Sequence, residues 1–458
     1  MKHPILRTIL SVLTVLGVCE MAIAQAVPSQ AFTNVTLHFA DGSSVSKATI
    51  LWRNGNIEAA GVNVSIPFDA KVIDGGDSLH VYPGWIDGMT EWAMPEIPRD
   101  NARVPDPGNP SYDRAGIQPH RLPHQMVVTN SRDFTDWRKL GFTAAGISPR
   151  GFMLPGNVDL MTIHGTEAND QARLLVQGMG MRASLQSSPG VNPSTTMGVM
   201  ARYRQLMFDS QALRTNTRLF TSNTNAYVAP EPDPVLESLW PVMDGKQTVF
   251  FSADNPEDIR RVLKLRDEFG FKIVIVSGRN AWMMASELAQ KDIAVLATLN
   301  FPAKPSFMTQ SAKDSVDKRT AEHKSHNQRQ EETWKAEVGN IKKLMDSGVL
   351  VGFTGVGLRS ADFNARVKDL KDAGLSEQNI VQLFSTNTAK VIGHGNLLGD
   401  LKKGMIAGFG VYTHPISDSK SKMNYSVAFG DVKYYPIPAT AANTRGSNSR
   451  AQSMEGDK

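Results

Sequence analysis

Cysteine is almost missing from this chain: its 458 residues include one, Cys19, and that one sits in a segment that reads as an export leader. With the leader removed, disulfides and thiolate metal sites are both excluded, so the fold must stand on packing and hydrogen bonds. Net charge is also scarce. The 49 Lys and Arg are interspersed with 45 Asp and Glu, for a formal charge of +4, which excludes the basic stripe of a nucleic-acid reader. No internal repeat is visible. No Gly-x-Ser-x-Gly elbow of a serine hydrolase occurs. Gly178-Met179-Gly180 and Gly393-His394-Gly395 do not complete a dinucleotide or phosphate-loop pattern, so no nucleotide cofactor is expected.

What is present begins with the leader. Lys2 and Arg7 give a basic start, Ile9 to Cys19 an apolar stretch, and Ala22-Ile23-Ala24 a small-x-small cleavage site before Gln25. A signal peptide over 1–24 and a periplasmic or secreted mature protein are expected. An uncleaved anchor is the other reading, but about eleven apolar residues fall short of the ~20 that span a bilayer. Lipidation at Cys19 would need a small residue where bulky Val18 stands. No transmembrane anchor is therefore expected after cleavage.

From Phe32 to Val81 short β-type runs alternate with Asp41-Gly42 and Asn54-Gly55 turns, the pattern of a small antiparallel lobe. A proline-rich stretch between Glu91 and Asn130 follows and reads as a long surface loop with one short helix. Beyond Phe134, apolar runs (143–147, 248–251, 273–276, 293–297, 349–353) alternate with helical stretches (256–269, 281–291, 315–347, 360–373). Such alternation over about 300 residues suits an eight-stranded (β/α)8 barrel better than an open doubly wound sheet, though both satisfy the pattern. Short β runs return after Leu398, and the polar tail over 438–458 reads as disordered.

Val72-Ile73-Asp74 through Val81-Tyr82-Pro83-Gly84-Trp85-Ile86-Asp87 resembles the lead-in to the first barrel strand of the amidohydrolase superfamily, its imidazolonepropionase-like branch especially. Similar stretches continue: Gly141-Phe142-Thr143, Ser148-Pro149-Arg150-Gly151, Thr386-Asn387-Thr388-Ala389-Lys390, and Leu398-Gly399-Asp400 to Gly404. The resemblance implies a TIM-like barrel over 83–397 flanked by a composite β-sandwich lobe from 25–82 and 398–437. It also implies a metal-dependent hydrolase of carbon–nitrogen bonds, whose metal acidifies water and polarises the carbonyl.

The expected ligands are replaced. Where the family carries His-x-His, this chain has Met89-Thr90-Glu91; where His-Ala is usual, Ser252-Ala253; where His-Gly, Ser277-Gly278; and Thr354 is followed by Gly355 in place of an aspartate. Gly408 likewise stands where the family usually has an aspartate. A thioether and hydroxyls are poor ligands for a divalent ion, which leaves Glu91 as the one anchor. His120, His124 and His164 could in principle supply replacements, although Pro119 and Pro123 disfavour a regular helix there. The remaining histidines are expected to be scattered.

The sequence therefore points to an exported, catalytically degenerate homologue acting as a ligand-binding or partner subunit. Glu91, Ser252, Ser277, Arg279, Asn280 and Thr354 are the candidate pocket for a small polar or amide-containing ligand. Its partners would be a homo- or hetero-oligomer with an amidohydrolase homologue, and no cofactor is expected. The alternatives are a divergent hydrolase of cyclic amides with a non-standard zinc site and, on the strength of the tail, a structural envelope protein.

Overall fold

A computed structural model describes residues 27–97, 106–164, 173–308, 321–418 and 420–437. The leader (1–24) and the tail (438–458) lie outside the described residues. Two sheets organise the rest. Strands β1 (Gln30–His38), β2 (Ser44–Arg53), β3 (Asn56–Gly61), β4 (Lys71–Pro83), β13 (Phe409–Tyr412), β14 (Met423–Ala428) and β15 (Asp431–Tyr434) form a seven-stranded sheet in the order β15-β14-β13-β4-β1-β2-β3. Both chain ends build it, as expected, but by hydrogen bonding it is one continuous sheet.

That sheet curls over itself. Trp52 on β2 and Phe409 on β13 stand three strands apart, which would separate them by roughly 14 Å in a flat sheet. Their ring centroids are 5.3 Å apart, and Phe32 on β1 meets Tyr425 on β14 at 5.2 Å. The two halves thus face one another across a shared aromatic core, which is how one sheet does the work of a sandwich.

The second sheet runs β12-β11-β10-β9-β8-β7-β6-β5, from β5 (Trp85–Thr90), β6 (Phe142–Ile147), β7 (Gly156–Thr162), β8 (Leu174–Ser184), β9 (Thr248–Ala253), β10 (Ile273–Ser277), β11 (Ala294–Thr298) and β12 (Val351–Thr354). Five of its seven pairings are parallel, whereas β6–β7 and β7–β8 are antiparallel. Here the structure departs from eight parallel strands. The eight residues between β6 and β7 are too few for a crossover, which takes a dozen or more.

Local chemistry explains the elements. In the helix Pro256–Phe269 the side chain of Asn255 caps the N-terminus through Asp258 N–H, Pro256 occupies the first turn, and Gly270 closes the end at φ 74°. Its buried stripe is Ile259, Val262, Leu263 and Leu265. The expected helix over 281–291 is a 3-10 turn, Ala281–Met284, followed by Ala285–Gln290. Of 315–347 the described part is helical over Ala321–Val338 and Asn340–Asp346. The 27-residue helix Thr196–Ser222 escaped the sequence reading because only its first half buries a stripe, Val199 to Ser210. Around Glu91 to Asn130 the described residues hold one short 3-10 turn, Pro123–Gln125.

Arg138 fastens the two sheets together. Buried at the end of the helix Arg132–Arg138, it donates through Nη1 to Asp431 Oδ2 at 2.7 Å and through Nη2 to the carbonyls of Ser426 (3.1 Å) and Asp431 (2.7 Å). These charge-assisted bonds satisfy a cation that could not otherwise be buried.

The histidines expected to be scattered are partly gathered. His38 and His80, on the neighbouring strands β1 and β4, lie with Nε2 and Nδ1 3.0 Å apart, because parallel pairing sets Thr36 beside His80. Burial, with the charge of His80 second, lowers the His38 pKa from 6.5 to about 4, against the opposing pull of Glu377. The folded state therefore resists protonation: this contribution to stability is complete above pH 6.5 and is lost as pH falls through about 4. Replacing His38 with Asn should flatten the acid limb of the stability profile between those values. Urea titrations at stepped pH measure it, and an unchanged acid limb would refute the assignment.

Candidate functional site

The carboxyl ends of the long sheet bring the expected positions into view. Beneath them lies an apolar plug: Met89, fully buried, packs with Ile86, Ala144, Val158, Leu160, Phe250, Val274, Val276 and Leu296. The thioether at the position where the resemblance expects a ligand is thus a core side chain. Two residues on, Glu91 is held by arginines. Arg182 Nη1, from β8, lies 2.5 Å from Glu91 Oε1, and Arg150 Nη1, just after β6, lies 3.8 Å from Oε2 and 3.3 Å from Glu96 Oε1. Arg182 is 8% exposed and also donates to the Pro149 carbonyl at 3.0 Å. A carboxylate flanked by two guanidiniums is neutralised, and a further cation would have to displace them.

The two edge strands of this sheet meet at the same end. Thr354 Oγ1 donates to the Met89 carbonyl at 2.5 Å, and Gly355 N–H donates to Asp87 Oδ2 at 2.9 Å. Asp87 is fully buried and accepts a second N–H, from Met89, at 3.2 Å on Oδ1. Burial raises its pKa well above the ordinary carboxyl value, opposed by the N–H groups of Gly355 and Met89 and by Thr90. Position 355 is where the resemblance puts the metal-binding aspartate. A Cβ there would fall 2.3 Å from Asp87 Oδ2, so the site is closed to any side chain while Asp87 stays in place.

The rest of the expected pocket forms a second group around β9 and β10. Ser252 pairs in register with Ser184 on one side and Val276 on the other. Ser277 ends β10 at φ 73°, a left-handed backbone that breaks the strand's regular pleat. The loop beyond it is tied to Asp254, whose carboxylate accepts Arg279 N–H at 3.3 Å and whose carbonyl accepts Asn280 N–H at 2.8 Å. Arg279 Nε and Glu337 Oε2 are both buried and have no hydrogen-bond partner among the described residues. Burial raises the Glu337 pKa, and the charge of Arg279 opposes the rise.

The replacement histidines do not converge. Both the main-chain N–H and Nδ1 of His124 engage the buried Asp159 carboxylate, at 3.1 and 2.7 Å. His120 is exposed, and His164 lies against Phe429 of the other sheet. Among the described residues no three His, Cys, Asp or Glu side chains come together as metal ligands. The residues present at the strand ends do not fit a divalent ion: they offer a buried thioether, a carboxylate already paired, hydroxyls, and a glycine pinned against Asp87.

Sequence reading missed Arg182 and the structural part played by Asp87. Both carried a signal, since each is a charge inside an apolar strand and must find a partner there.

No known family profile matches the chain, and no curated protein matches it. Solved structures do. An amidohydrolase from Thermotoga maritima MSB8 superposes with a TM-score of 0.70 at 20% identity, covering 89% of this chain and 100% of that one. The chain has an amidohydrolase fold. A β-aspartyl dipeptidase from Fervidobacterium islandicum AW-1 is also similar, at TM-score 0.46 and 11% identity over 90% of this chain and 99% of that one. At 20% identity the likeness to the Thermotoga maritima structure is one of fold, and at that level it bears out the resemblance read from the sequence.

Because Asp87 Oδ2 occupies the space, Gly355→Ala should destabilise the protein by about 1–3 kcal/mol, the usual cost of overpacking a well-filled core. The urea midpoint measures this. A neutral substitution would show that the first and last strands are not held as described.

Proposed function

We propose that this chain is an exported protein of amidohydrolase fold that no longer hydrolyses carbon–nitrogen bonds and instead binds a small polar or amide-containing ligand at its strand ends. The long sheet is read as a closed barrel whose edge strands β5 and β12 meet through Thr354 and Asp87. The leader supports export: a basic start, a short apolar stretch and a small-x-small site before Gln25.

One observation carries the reading. The position for the catalytic aspartate is blocked, with a Cβ at Gly355 only 2.3 Å from Asp87 Oδ2. A single lost ligand leaves a site that one substitution restores. Here the loss is accompanied by new bonds that consume the same groups: Thr354 to Met89, Arg182 to Glu91. Without a metal, water at neutral pH is a poor nucleophile toward an amide, and the described residues at these strand ends offer no set of ligands that would hold one.

The guanidiniums of Arg150 and Arg182 and the Glu91 carboxylate then serve as binding groups. Arginine forks suit a carboxylate or an amide carbonyl, and exchange of Glu91 for a ligand oxygen would conserve the count of charge-assisted bonds. Purified protein should carry no stoichiometric transition metal. It should also leave cyclic amides, hydantoins and N-acyl amino acids unhydrolysed with added zinc or manganese. Metal-dependent turnover of any of these that disappears in Glu91→Gln would overturn the proposal.

A further inference from the structure

Away from the strand ends, a cavity of about 320 Å³ opens at the seam between the curled sheet and the helix Glu377–Gln382. Its volume lies within the range of small-molecule sites. His38 and Tyr82 form one wall, with ring planes 2° apart and centroids 4.2 Å apart. Ser43, Gln378, Glu377 and Pro415 contribute to the remainder.

The charge of this cavity has one sign. Among the described residues that line it, Glu377 is the one with an acidic side chain and none is Lys or Arg, while burial beside His80 lowers the His38 pKa to about 4. The His80 pKa is lowered as well, by burial first and the charge of His414 second. Glu377 Oε1 accepts the Tyr82 hydroxyl at 3.2 Å, and Oε2 accepts no hydrogen bond from the described residues. Arginine or lysine, the usual partner of a half-buried carboxylate, does not line the space. A carboxylate with one oxygen that takes no hydrogen bond from the described residues, beside an aromatic wall, is an acceptor that suits an alkylammonium group, by ion pairing at one side and apolar ring contact at the other.

We infer that the His38–Tyr82–Glu377 cavity is a binding site for a small organic ammonium ion. The inference is independent of the reading of the strand ends. Glu377 Oε2 takes the ammonium hydrogens, the wall of the stacked His38 and Tyr82 rings meets the alkyl part, and Ser43 and Gln378 line the rest.

The test uses the full mature chain with butylammonium as probe, butan-1-ol as its neutral isostere and butyrate as its anionic counterpart, followed by calorimetry and ligand-observed NMR. Butylammonium should bind saturably at neutral pH and perturb the His38 and His80 ring resonances, whereas butanol and butyrate should not bind. Glu377→Gln should weaken butylammonium binding at least about tenfold, as removal of a partly buried charge partner does. Gln378→Trp, at an exposed rim position, should also weaken it by filling the space, and both variants are checked for unchanged thermal unfolding. Equal binding of butanol, undiminished binding in a folded Glu377→Gln variant, or no saturable binding of butylammonium would overturn the inference. If Glu377→Gln fails to fold, Gln378→Trp decides alone, and unaltered affinity there sinks the site.

Discussion

Asp87 is the residue on which the arrangement at the strand ends turns. Its buried carboxylate accepts N–H groups from Met89 on its own strand and from Gly355 beyond the last strand of the sheet. Two hydrogen bonds to a group with no access to water are each worth more than their surface equivalents, and leaving either N–H unpaired would cost about 1–3 kcal/mol. Once Asp87 is fixed, position 355 must be glycine, Thr354 is held against the Met89 carbonyl, and β5 and β12 are drawn together. Chemistry at this end of the sheet is a consequence of that geometry.

The same logic extends outward. Met89 has been absorbed into the apolar plug and Glu91 into a pair with Arg182. An ion pair at a half-covered position contributes modestly to stability, but it sets local charge firmly, because a cation approaching Glu91 meets a guanidinium first. The polar groups at the strand ends bond to one another, while the strands are held by their outer and inner apolar faces, not by the residues at their tips.

The two sheets, the contribution of both chain ends to one of them, and most strand positions were legible in the sequence because hydrophobic alternation and turn residues are local signals. Three things were not. The strands β7 and β8, and with them the antiparallel turns, were hidden, since polar residues such as Asp159, Thr162 and Gln177 interrupt their apolar runs. The curl of the seven-stranded sheet was hidden because it depends on Trp52 meeting Phe409 across the lobe. The pairing of Arg182 with Glu91 was hidden because the two are far apart in the chain and joined only by strand order. His38 and His80 illustrate the same limit: separately they are ordinary surface-lobe histidines, and only the β1–β4 register makes them a pair. The residue identities at Met89, Glu91, Ser252, Ser277 and Gly355 were plain in the sequence, but what each side chain touches there was not.

The central claim is that the polar groups at the strand ends are committed to one another, leaving no grip for a divalent ion. The most direct test is a crystal structure of the mature protein grown in zinc, with diffraction recorded on both sides of the zinc absorption edge. The account predicts no anomalous peak among the strand ends, with Arg182 still on Glu91 and Gly355 still on Asp87. A peak at coordination distance from Glu91, with Arg182 swung away, would contradict it.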